Sequence, residues 1–205
     1  MQVAARKPLP LKPPPSLSST SQLDRAATAR PGRTRQPTRT PGHPTTDSFT
    51  PASAGRNPAA ARLDARLDRL DVQHNPRWQP RGERGTPGRT TYCNQFAQAA
   101  LRQQGVPTPG GNANNMNRWF NGPQGRANGW REVPAAEAQR LANQGHAVAA
   151  SWRNQNGPHG HIAIVRPGEL GAGGPRIAQA GGTNFNNGSV RQGFGRHTPQ
   201  YFVHD

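Results

Sequence analysis

One thiol and one distant imidazole stand out as the groups able to do covalent chemistry. Cys93 is the only cysteine among 205 residues, and it opens the predicted helix in TTYCNQFAQAALRQQG, residues 90–105. A thiolate in a first helical turn meets unpaired backbone N–H groups and the positive end of the helix dipole, both of which lower its pKa. The same N–H groups can hold the oxyanion of a tetrahedral intermediate, so the position suits acyl transfer. A bland reading stands beside this one. Cys93 precedes Phe96 and Ala97 by three and four residues, and a small apolar thiol on that face can simply fill a core. A nucleophile needs a base, and His161 begins the alternating run GHIAIV. The base in turn needs an acceptor for its Nδ1–H. Gln179, in the next apolar run IAQA, offers a side-chain carbonyl, and Asn184 in GGTNFNNG is a reserve. As bland alternatives, Gln179 is a polar residue on a half-exposed strand and Asn184 a turn residue.

These residues are separated by tens of positions, so the elements that carry them must bring them together. Thr90 or Thr91 is the expected cap of the first helix, whose apolar face is Phe96, Ala97, Ala100 and Leu101. Gly105 sits at the C′ position and Pro107 stops continuation. A second helix is expected around ANNMNRWF, with Ala113, Met116 and Trp119 on one side, and a third from Pro134 to Gly145. HAVAASW and HIAIV, joined by the turn RNQNGPHG, form a hairpin signal, followed by the strands RIAQA and YFVHD. His161, Ala163 and Val165 share one face, and the Cys93 helix must cross that face to bring thiol and imidazole together. Helices followed by antiparallel strands imply an α+β domain over 88–205. Before it come a Pro/Ser/Thr/Arg-rich arm over 1–57, read as disordered, and a short amphipathic helix over 58–72 with Leu63, Leu67 and Leu70 on one stripe. A breaker-dense linker over 73–87 follows.

YCNQFAQAAL, then GHIAIV some seventy residues later, then a polar residue in the next strand, resembles the papain-like cysteine amidases. The nearest groups are the CHAP (cysteine, histidine-dependent amidohydrolase/peptidase) domains and the NlpC-type cell-wall peptidases. The resemblance covers roughly 88–205. It implies a papain-like fold with an N-terminal helix packed on an antiparallel sheet, and no cofactor. It makes Cys93 the nucleophile, His161 the general base and Gln179 the residue that orients the imidazole. These families more often place an acidic residue, Asn or His where Gln179 falls. The implied activity is hydrolysis of amide bonds in peptidoglycan. Thiol–His sites also support deamidation or acyl transfer on protein or lipid substrates.

Composition narrows the rest. Hydrophobic residues make up 31% of the chain, too few to build a core along its whole length. The formal charge is +16, almost all from arginine, since Lys7 and Lys12 are the only lysines. Such a chain is drawn to polyanions, including an anionic cell-wall polymer. A non-enzymatic nucleic-acid binder is the rival from another class, but the aromatic residues are not interleaved with the basic ones as a base-stacking platform requires. A metal site on Cys93, His159 and His161 lacks a carboxylate and any HExxH pattern. A glycosidase needs two carboxylic residues across a cleft, and the domain with the linker before it offers only Glu83, Glu132, Glu137, Glu169 and Asp205. No apolar run is long enough to span a membrane, and the N-terminus lacks the apolar core of a secretory signal. The expectation is a monomer exported by a specialised route, with residues 1–75 carrying the delivery information. A secretion-system or immunity protein would be its partner, as for an antibacterial effector.

Overall fold

The computed structural model describes residues 57–205. In chain order these form α1 (Pro58–Arg69), a 3₁₀ turn (Pro76–Trp78), α2 (Cys93–Gln103), α3 (Ala113–Asn121), α4 (Pro123–Ala127), β1 (Trp130–Val133) and α5 (Ala135–Ala142). There follow β2 (Ala147–Trp152), β3 (His161–Val165), β4 (Arg176–Gln179), β5 (Phe185–Ser189), α6 (Val190–Phe194) and β6 (Gln200–His204). The strands make one antiparallel sheet in the order β1-β6-β2-β3-β4-β5. The α+β class holds.

Both faces of the central strands are covered, so the apolar alternation of β2 and β3 supplies two cores. Ala149, Ile162, Ile164, Ala178 and Phe202 pack with Phe96, Ala97 and Leu101 of α2 and Met116 and Phe120 of α3. Val148, Ala150, Ala163, Val165, Ile177 and Val203 pack with Ala138 and Leu141 of α5 and Phe194 of α6. The expected side of α2 is therefore corrected. It lies on the Ile162/Ile164 face, not on the face shared by Ala163 and Val165. Phe96 and Leu101 are bulky, and Ile162 and Ile164 give them a larger apolar surface than Ala163 does.

Helix α1 docks on this body. Asn57 caps it, with Oδ1 accepting from the Ala59 N–H at 2.9 Å, and Pro58 occupies the first turn. Leu63 and Leu67 are buried in the α2 core. On another side, the buried Arg166 holds Asp64 at 2.6 Å and Asp68 at 3.1 Å. Within 73–87 the breakers end all periodicity, yet Trp78 is buried. Its indole donates to the Leu70 carbonyl at 2.9 Å and its ring stands edge-on to Phe96 at 5.7 Å. No helix among the described residues is long and apolar enough to cross a membrane.

Candidate active site

Helix α2 begins at Cys93 without a side-chain cap; Tyr92 takes the N-cap position. The expectation that Thr90 or Thr91 caps it is corrected: no side chain caps it, and the Thr91 hydroxyl instead acts to lower the pKa of the Cys93 thiol. First-turn N–H groups are thus left without a side-chain oxygen. The thiol is 7% exposed. It meets the backbone N–H groups of Ile162, Asn94 and Cys93 itself. The first of these matters most for position, since Ile162 directly follows His161. The thiol therefore reaches the main chain of β3 at its N-terminal end, next in sequence to His161.

His161 and Gln179 come together across β3 and β4. His161 Nε2 lies 2.6 Å from Gln179 Oε1. The amide cannot be turned the other way, because Gln179 Nε2 donates to the Thr183 carbonyl at 3.0 Å. Oε1 is then an acceptor, so Nε2 of the imidazole carries the proton and Nδ1 keeps its lone pair. This corrects the expected tautomer: the held proton is on Nε2, not on Nδ1. Phe194 of α6 closes one side of the ring, edge-to-face at 4.7 Å. Trp152 faces His161 across the β2–β3 register and stacks on His197 at 3.8 Å.

The reserve candidate Asn184 does not touch His161. Its Nδ2 donates to the carbonyls of Val72 at 3.0 Å and Trp78 at 2.8 Å, and its Oδ1 accepts from the Gly181 N–H at 3.0 Å. It fastens the loop that supplies the Thr183 carbonyl to the segment following α1. Arg89 adds a second fastening, donating to the Gly182 carbonyl at 2.8 Å. Sequence reading had no access to these contacts, because most of them end on main-chain atoms.

Electrostatics set the resting state. Burial pushes the Cys93 thiol above its ordinary range, and the surrounding N–H groups and Thr91 hydroxyl only partly oppose it. The helix-terminus effect has the expected sign but is outweighed. Burial pushes His161 below the usual histidine range; the Gln179 hydrogen bond opposes this and the nearby His197 adds to it. Both directions favour a neutral thiol and a neutral imidazole. His159 is exposed in the β2–β3 turn, and among the described residues no three His, Cys, Asp or Glu converge to hold a metal. A helix-end thiol can support acyl transfer through sulfur where a base of fixed tautomer comes within reach of it.

No family model matches the chain. Over 87 residues the chain is 36% identical to the peptidoglycan amidase Tse1 of Pseudomonas aeruginosa, a match covering 42% of this chain and 51% of that protein. The chain thus spans about half the length of the curated relative it matches.

Proposed function

We propose that this protein is a papain-like cysteine amidase that hydrolyses an amide bond in peptidoglycan, with Cys93 as nucleophile, His161 as base and Gln179 as the residue orienting the imidazole. The observation that carries the proposal is the 2.6 Å hydrogen bond that His161 Nε2–H donates to Gln179 Oε1, at the strand end where the Cys93 thiol meets the Ile162 N–H. The similarity to Tse1 supports the substrate class.

The steps follow from the neutral resting pair. His161 Nδ1 takes the thiol proton as Sγ adds to the carbonyl carbon. The oxyanion develops near the uncapped N–H groups at the start of α2, in a site shielded from water. Collapse breaks the C–N bond, and the same proton passes from Nδ1 to the leaving amine. Water then adds to the thioester, giving its proton to His161. Release of the carboxylic acid breaks the C–S bond, and the thiol is re-protonated. Gln179 contributes by direction and not by charge: it fixes the ring but stabilises the imidazolium less than a carboxylate would.

A wall substrate requires a route out of the producing cell. We place that delivery information within residues 1–56, which lie outside the described residues, because the apolar stripe of α1 is already buried against α2. Purified peptidoglycan digested with the protein is expected to gain new amine termini, identified by mass spectrometry of the fragments. Cys93→Ala should release none, and release equal to wild type would sink the assignment of the nucleophile.

A further inference from the structure

The strand order places the ends of four neighbouring strands along one edge of the sheet. Gln200 of β6 is level with Ser151 of β2, Trp152 of β2 is level with His161 of β3, and His161 is bonded to Gln179 of β4. A groove of about 690 Å³ opens onto the β6 and β2 end of this row, bordered among others by Asn117, Arg118, Asn121, Trp152, Arg153 and Gln200 but not by Cys93, His161 or Gln179. Neighbouring strands lie about 4.8 Å apart, so the groove starts roughly one strand from the imidazole, with Trp152 between them.

The chemistry of the groove is uneven. Its amides are engaged with one another: Asn117 and Asn121 both donate to Gln200 Oε1, at 3.2 and 3.0 Å. Glu132 accepts from Gln200 Nε2 at 3.1 Å but does not border the groove. Two cations border it as well. Arg118 and Arg153 are exposed, neither pairs with a carboxylate among the described residues, and Arg118 donates to the neutral amide oxygen of Asn115. Other arginines do pair: Arg131 binds Asp205 and Glu137, and Arg166 binds Asp64 and Asp68. A larger cavity of about 1010 Å³ near α1 shows the contrast. Its Arg166 is neutralised by those two carboxylates, whereas its Arg176, like Arg118, is held by a neutral amide, that of Asn187.

We propose that this groove is the subsite for a carboxylate-bearing peptide arm of the substrate, with Arg118 and Arg153 as its specificity-determining residues. The proposal rests on the amidase reading of Cys93. A guanidinium matches a carboxylate in shape and charge, whereas a neutral glycan gains nothing from it beyond ordinary hydrogen bonds.

The test is binding to the full chain carrying Cys93→Ala, followed by calorimetry. The probes are a synthetic stem peptide with free carboxylates, the same peptide with those groups as carboxamides, and a peptide-free N-acetylated glycan oligomer. The acid peptide is expected to bind about tenfold tighter than the carboxamide, a difference typical of one charge-assisted contact. Adding Arg118→Gln and Arg153→Gln should abolish that preference. Equal binding of the two peptides, a preference that survives both substitutions, or competition by the glycan would each overturn the proposal. If the preference behaves as expected while wild type releases no amine from peptidoglycan, the amidase reading fails and the carboxylate site stands.

Discussion

Gly193 leaves room for the Gln179 amide. A Cβ at that position would lie 2.5 Å from Gln179 Oε1 and 2.7 Å from Ile177 Cδ1. The amide, as the end of a flexible side chain, would give way first. Gly193→Ala is therefore expected to leave the fold intact, judged by circular dichroism, while kcat falls by about tenfold to a hundredfold as the imidazole loses its orientation. Unchanged kcat would show that the Gln179 contact is dispensable. The depressed pKa of His161 has a second consequence at this scale. The imidazole stays neutral into more acid solution than an ordinary histidine, so the acid limb of kcat/KM should lie below about 6.5. Gln179→Glu would place a negative charge on Nε2–H and stabilise the imidazolium. Its acid limb should move to higher pH, and a limb that stays put would argue against His161 as the titrating base.

Among the elements, the segment between α1 and α2 braces the site although it holds no reacting group. Asn184→Ala strips partners from the Val72 and Trp78 carbonyls and the Gly181 N–H. A loss of about 1–3 kcal/mol in denaturant unfolding is expected, with kcat reduced more than KM because the Thr183 carbonyl that orients Gln179 is loosened. Trp78→Ala should cost about 3–5 kcal/mol by opening a cavity beside Phe96. A loss under about 1 kcal/mol would mean the tryptophan is not part of the folded core. The central strands β2, β3, β4 and β6 were legible because their apolar residues are dense and bounded by Gly, Pro and Asn. The edge strands β1 and β5 were not. WREV and FNNGS carry little apolar signal, as edge strands exposed to water generally do, and the five residues of α6 are too few to show a helical period. Of the proposed site, residue type and order marked Cys93, His161 and Gln179, and the fold joins the last two. Thr91 read as a cap because hydroxyls prefer that role, and only the fold turns it toward the sulfur. Asn184 read as an imidazole partner for want of any sign that its hydrogen bonds end on carbonyls more than 100 residues earlier.

At the scale of the molecule, a formal charge of +16 should show itself in attachment to an anionic wall before any bond is broken. Retention of Cys93→Ala on purified sacculi is expected to fall steeply between 0.1 and 1 M NaCl, as the screening length shrinks from about 10 Å to 3 Å. Salt-insensitive retention would assign the attachment to shape and hydrogen bonding. The grip of Arg166 on Asp64 and Asp68 spans 102 and 98 residues of chain, and with Leu63 and Leu67 it anchors α1 on both flanks. Residues 81–88, by contrast, lie exposed and include Arg81 and Arg84. Trypsin that nicks this stretch once should yield two polypeptides that separate in denaturing gels yet co-elute as one particle under native conditions. Continuity of the backbone and integrity of the folded particle would then be separate properties, and brief proteolysis need not abolish the proposed activity.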